Sequence, residues 1–113
     1  MTFLEELNSI ISDCGLPVET GVFSDTAPDS YAVVTPISDM FTLFADNKPL
    51  AEVNEASISI FTKGNYRAYK TAVLRALVAA DFTINDCRYI DHEDDTKYHH
   101  YHIVAAKAAE WAT

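Results

Sequence analysis

The stretch from Glu55 to Phe82 constrains the fold most, because a strand-like pattern changes there into a helix-like one. Before Gly64, apolar and small polar residues alternate, which predicts a strand with one buried face. After it, apolar residues recur every three or four positions, which predicts an amphipathic helix capped by Asn65. The inward face of that helix comprises Tyr66, Tyr69, Val73, Leu77 and Ala80. Neither element can bury its apolar face alone, so we expect them to pack together at the centre of the domain.

A first helix is predicted at the amino end. Its apolar residues have helical spacing, and Thr2 with Glu5 forms a Thr-x-x-Glu capping box. Gly15 followed by Pro17 should end this helix. The next segment, 16–30, contains Gly and Pro with few apolar residues, and we expect an irregular surface connection there.

Four further segments have strand-like patterns. The first, 31–35, is followed by Pro36 and should end there, and the second is 40–45. A turn over 46–49 then leads back towards the central strand. The last two, 82–91 and 97–106, flank a polar segment typical of a hairpin tip.

The resulting order is α-β-β-β-α-β-β. It predicts an α+β domain with a mostly antiparallel sheet of about five strands and two helices on one face. We expect one domain over residues 1–113. The alanine-rich end is either further strand or a flexible tail over 106–113. The uncovered sheet face is partly apolar, which favours a partner.

Composition excludes several classes of function. The net charge is −9, which argues against nucleic-acid binding, because that binding requires clustered cations. No apolar run approaches the roughly 20 residues that span a bilayer, so no membrane partner is expected. The three glycines are not grouped, so no phosphate-binding loop is present. The basic residues of the second helix should pair with acidic residues of a neighbouring copy or face solvent.

The histidines near the carboxyl end are the one cluster that could carry chemistry. His100 and His102 would share a strand face about 6.5 to 7 Å apart, and His92 could join them across the hairpin in a zinc-type set. A small metal-dependent enzyme is therefore one alternative. We prefer the interpretation that these rings are polar-aromatic groups on an edge hairpin, because no known ligand spacing supports a metal. We accordingly predict no catalytic residue, cofactor or metal.

The order of motifs along the chain resembles the tail terminator proteins of long-tailed bacteriophages. The resemblance runs from about Leu16 to Val104. The motifs that carry it are Leu16-Pro17-Val18, Pro28-Asp29-Ser30-Tyr31-Ala32-Val33-Val34, Ala45-Asp46, Ser57-Ile58-Ser59-Ile60-Phe61-Thr62-Lys63, Leu74-x-x-Leu77 and Tyr98-His99-His100-Tyr101.

The resemblance implies a virion subunit, assembled in the host cytoplasm, that forms a homohexameric ring in the neck. Such a ring would cap the tail tube, contact the tube protein and the head-completion or connector protein, and let DNA pass without specific binding. It implies that Asp25, Asp29, Asp39 and Asp46 line the lumen or rim, and that Tyr98, His100 and Tyr101 lie at the subunit interface. Another neck subunit, such as a head-completion or stopper protein, and a small intracellular binding or immunity-type module are the remaining alternatives.

Overall fold

The computed structural model describes residues 2–20, 28–45 and 48–110, which form two helices and five strands. Their order agrees in type with the predicted α-β-β-β-α-β-β sequence, although the first two strands are not the predicted segments. The elements are α1 (Phe3–Asp13), β1 (Val18–Thr20), β2 (Ser30–Ala45), β3 (Lys48–Thr62), α2 (Tyr66–Ala79), β4 (Thr83–His92) and β5 (His99–Glu110).

The strands form a single sheet in the order β1-β2-β3-β5-β4, with β3 at its centre. Only the short β1 runs parallel to its neighbour, and the other three pairings are antiparallel. The structure therefore confirms the predicted α+β class with a mostly antiparallel sheet.

Both helices cover the same face of the sheet. Helix α1 lies over β1 and β2, while α2 lies over β3, β4 and β5. Alternate residues of the central strands point towards the helices, into the core between the two layers, as the sequence pattern predicts. The fully buried members of this core are Leu7, Ile11, Ala32, Val34, Ala56, Ile58, Ile60, Val73, Leu77, Ile103 and Ala105.

The predicted helix caps are present. The Thr2 hydroxyl accepts a hydrogen bond from the Glu5 amide at 3.2 Å and donates one to its carboxylate at 3.0 Å. The Asn65 side-chain oxygen accepts from the amides of Arg67 and Ala68 at 3.1 and 3.4 Å. These bonds satisfy amides that would otherwise have no partner in the first helical turn.

Two predictions about the segments before α2 are wrong. The predicted strands 31–35 and 40–45 are one continuous strand, β2, which does not end at Pro36. A bulge between Pro36 and Ser38 leaves Ile37 as an extra residue, and β-bulges tolerate a proline that cannot donate to the ladder. In addition, the supposedly irregular segment 16–30 contains β1, whose three residues pair with 32–34.

Beyond the bulge, the β2–β3 hairpin extends past the helices. We call this part, residues 38–45 and 48–55, the arm, and the rest of the molecule the body. The end of β5 accompanies the base of the arm, since residues 106–110 pair with 51–55 instead of forming a tail. The molecule is accordingly elongated, measuring 55 × 26 × 23 Å.

Candidate assembly surfaces

The face of the sheet opposite the helices carries a group of four rings, which we call the aromatic cluster: Tyr31, Phe61, Tyr98 and His100. Phe61 stacks on Tyr31 at a centroid distance of 4.9 Å and on His100 at 4.3 Å. The Tyr98 ring stands edge-on against both Tyr31 and Phe61. Its hydroxyl donates a hydrogen bond to the Pro28 carbonyl at 2.6 Å, which ties the start of β2 to the start of β5.

His100 is the one titratable group in this cluster with an unsatisfied atom. Its Nε2 is buried without a hydrogen-bond partner among the described residues. Burial, reinforced by the nearby His102, lowers the pKa of His100 below its ordinary value. The neutral ring is therefore the form that the cluster favours.

The structure separates the three residues predicted at a subunit interface. Tyr98 and His100 belong to the aromatic cluster, whereas Tyr101 points to the opposite face and packs beneath α2 against Tyr66. Burial there, together with a hydrogen bond to Cys87, raises the pKa of Tyr101 to about 12. Since Tyr98 and Tyr101 are 8% and 5% exposed, their side chains leave little surface for a neighbouring copy.

The histidine set considered for zinc is also split by the sheet. His92 pairs with His99, whose ring contacts Tyr66 of α2, so both lie on the helix-covered side. His100 and His102 lie on the open face, as alternation along β5 requires. Over 2–20, 28–45 and 48–110, no three His, Cys, Asp or Glu residues are grouped closely enough to hold a metal ion.

Two of the four acidic residues predicted at a lumen or rim are described, and they lie far apart. Asp25 and Asp46 lie outside the described residues. Asp29 is exposed at the end of the body, where it faces Lys63 with a nitrogen–oxygen distance of 3.6 Å. Asp39 lies ten residues further along the chain, about 30 Å away along an extended strand, at the base of the arm.

Asp39 forms part of a groove of about 470 Å³ between the start of α1 and the base of the arm. The Asn54 amide donates to the Asp39 carboxylate at 2.6 Å and also to the Glu52 carboxylate. The Glu55 carboxylate accepts from Asn85 at 2.7 Å. These bonds orient the acids but leave their charge in place, because an amide is neutral. The apolar part of the groove comprises Phe3, Leu4 and Pro36, and its acidic part comprises Asp39 and Glu52. The Glu55 side chain points to the open face, since it alternates with Asn54 along β3.

Helix α2 presents an exposed surface of the opposite sign, which we call the α2 patch: Leu74, Arg75, Val78 and Ala79. Val78 is 61% exposed, although most apolar residues of this helix face the core. No carboxylate of the described part of the chain lies within ion-pair distance of Arg75. The patch therefore combines apolar area with a cation that makes no ion pair within the described residues.

Sequence reasoning missed the groove, although part of the signal was available. Glu52 and Asn54 continue the spacing of two that places Ala56 and Ile58 on the buried face. The pattern thus indicated polar residues on the helix side of β3. What it could not indicate was the continuation of β2 through Pro36, which brings Asp39 opposite Asn54.

No protein-family model matches the sequence, and no curated protein matches it. Several solved structures share its fold. A chain from the virion of a native gene transfer agent particle is 15% identical, with a TM-score of 0.50, over 93% of this chain and 84% of that chain. A crystal structure from Akkermansia muciniphila is 12% identical, with a TM-score of 0.54, over 96% of this chain.

A second structure from Akkermansia muciniphila, solved without its transmembrane region, is 10% identical with a TM-score of 0.51 over 97% of this chain. This chain spans about half the length of both A. muciniphila chains, at 50% and 54%. At such identities the likeness shows the fold alone. In the described part of this chain, no helix is long and apolar enough to cross a membrane.

Proposed function

We propose that this chain is a structural subunit of a phage-type virion, and that it acts as a tail terminator. In this role it assembles into a ring, a hexamer by the resemblance described above, which caps the tail tube and meets the head connector. Its task is to bind copies of itself and neighbouring virion proteins rather than to catalyse a reaction.

The observation that carries the proposal is the extent of the match to the gene transfer agent virion chain. That match covers most of both chains, so the whole of this domain corresponds to nearly the whole of a virion subunit. The A. muciniphila chains, by contrast, are about twice as long as this domain. This comparison favours a virion component.

The arm is also suited to assembly. Beyond Val34, no described strand pairs with the outer edge of β2. Such an edge of a sheet can add a strand from another chain. Three apolar residues are exposed on this part of β2: Ile37, Met40 and Phe41. A sheet edge with exposed apolar side chains is a suitable surface for contacts between subunits.

The charge of the chain is compatible with a channel for DNA. A net charge of −9 repels the phosphate backbone and disfavours adhesion as DNA passes through a ring. The orientation of the subunit in the ring determines which acidic residues face the lumen.

The proposal is tested with the purified chain and the tube protein encoded by the same phage genome. Native mass spectrometry and negative-stain electron microscopy should detect closed rings, either alone or on tube ends. Tubes polymerised with the chain present should be shorter than tubes of the tube protein alone.

Two outcomes would count against the assignment. A chain that stays monomeric both alone and with the tube protein would contradict the ring. Rings that bind the connector and leave tube length unchanged would indicate a head-completion or stopper subunit instead of a tail terminator.

A further inference from the structure

The groove and the α2 patch are complementary in chemistry. The groove has an apolar wall from the start of α1 and Pro36, with the carboxylates of Asp39 and Glu52 beside it. The patch offers apolar side chains around the guanidinium of Arg75. A surface that pairs apolar area with one sign of charge fits a surface with the same apolar character and the opposite sign.

These two surfaces do not meet within one chain. The groove is built from α1 and the arm, the patch belongs to α2, and they share no residue. Arg75 makes no ion pair with the acids of the groove, or with any other described acid. A second copy of the same chain carries both surfaces, so it can supply the complementary surface for each.

We propose that the α2 patch of one copy docks into the groove of the next. Arg75 faces the carboxylates of Asp39 and Glu52, while Leu74 and Val78 cover the apolar wall. This inference rests on the proposed function, since it specifies how copies meet in the ring.

Such a contact is head-to-tail, because two different surfaces of the subunit meet. Head-to-tail contacts produce closed rings when the rotation between copies closes. Isologous contacts, in which one patch meets itself, produce dimers instead. A stable interface typically buries about 1,600 Å² in total, so the groove and patch form only part of the contact and the arm is available to supply more.

Charge reversal tests the pairing. Arg75→Glu places a negative group opposite the acidic groove, and Glu52→Lys places a positive group opposite the basic patch. Each variant alone should raise the apparent dissociation constant for self-association about tenfold or more, because like charges are brought together. Sedimentation velocity over a concentration series measures the effect, and circular dichroism checks folding.

Restoration of assembly distinguishes pairing from a general effect of charge. The double variant Arg75→Glu with Glu52→Lys should assemble again, since its patch and groove are once more opposite in sign. An equimolar mixture of the two single variants should also assemble, in alternating order, if the ring has an even number of copies.

Two further variants separate the effect of net charge from the effect of apolar area. Arg88→Glu changes the net charge equally on exposed strand β4 and should leave assembly unchanged. Val78→Ser removes apolar area from the patch without altering charge and should weaken assembly even if a charge variant misfolds.

Different results would contradict the docking contact and the proposed function. If the wild type forms rings, and folded Arg75→Glu and Val78→Ser form them with unchanged affinity, the docking contact is wrong while the ring stands. If the wild type forms no ring alone or on tubes, the proposed function itself is wrong.

Discussion

The body and the arm both contain parts of β2 and β3, but these parts are stabilised in different ways. In the body, alternate residues of β2 and β3 lie beneath the helices, and Ala32, Val34, Ile58 and Ile60 are fully buried. In the arm, α1 reaches only the base, at the groove, and Met40 and Phe41 are 65% and 44% exposed. The strand pairing is continuous across the bulge, so the difference lies in the packing of side chains and not in the ladder.

The comparison shows that one hairpin can serve two purposes. Burial of apolar surface stabilises the body at about 25 cal/mol for each Å² removed from water. The arm obtains little of this stabilisation from its own chain and would obtain it from a partner. If the two regions differ in this way, truncations in the body should destabilise the chain more than truncations in the arm.

The largest expected effect is the contrast between two truncations in this hairpin. Ile58→Ala in the body should lower the free energy of unfolding by about 2–5 kcal/mol, because it leaves a cavity under the helices. Met40→Ala in the arm should change it by less than about 0.5 kcal/mol, because the side chain is already exposed. Urea denaturation at a concentration where the chain is monomeric measures both. Equal losses at the two positions would show that the arm is packed as tightly as the body.

A buried polar contact at the end of the body furthest from the arm should give the next effect. Thr62 is fully buried, and its hydroxyl lies 2.7 Å from that of Ser30 and accepts from the Gly64 amide at 3.0 Å. Thr62→Val should cost about 1–3 kcal/mol, because it removes both contacts and leaves their partners unsatisfied. Ser30→Ala removes one contact and serves as the control, with a smaller expected loss. A stability unchanged in Thr62→Val would mean that water replaces the lost hydroxyl.

The cap of α2 should contribute less. Asn65→Ala removes the acceptor of two helix amides and should cost about 1 kcal/mol, as measured by thermal or urea unfolding. Asn65→Asp retains an acceptor and should keep most of the stability. If the loss is confined to the body, hydrogen exchange in the arm should be unaffected, whereas a parallel increase in the arm would indicate that the two regions unfold together.

The smallest effect concerns pH and the open face of the body. The pKa of His100 is lowered by burial in the folded chain, so the unfolded chain binds its proton more readily. This contribution to stability is fully present above the ordinary histidine pKa of about 6.5 and is lost as the pH falls below it. His100→Phe keeps a ring against Phe61 without a titrating group and should abolish that part of the pH dependence. The measurement is the free energy of unfolding of the wild type and of His100→Phe at about one unit above and below that pKa, roughly pH 7.5 and 5.5. If both chains lose equal stability between the two pH values, the prediction is wrong.

Much of the fold follows from local patterns. The helices, their caps and the central strand are encoded by spacing and capping residues within short windows, such as Asn65 before the helix of Tyr66. The interruption of β2 was predicted wrongly because Pro36 is a local signal for a strand end, while the partner strand β3 continues past it. The pairing of β1 was missed for the same reason, since a three-residue strand depends on its neighbour and not on its own sequence.

The candidate surfaces were less predictable than the fold. Tyr98, His100 and Tyr101 are close in sequence, but alternation and the position of α2 place Tyr101 in the core and the others in the aromatic cluster. The groove depends on three segments that are distant in sequence: the start of α1, the middle of β2 and the middle of β3. No local pattern reports such a juxtaposition.

The sequence by itself therefore determined the α+β class, the two helices, both helix caps, the central strand and the net acidic charge. These properties depend on composition and on contacts between residues a few positions apart. Only the tertiary structure decided that the hairpin extends into an arm, that the histidines are divided between two faces, and that an acidic groove and a basic helix patch coexist on one chain. These features depend on strand register and helix placement, which are set by burial over the whole domain.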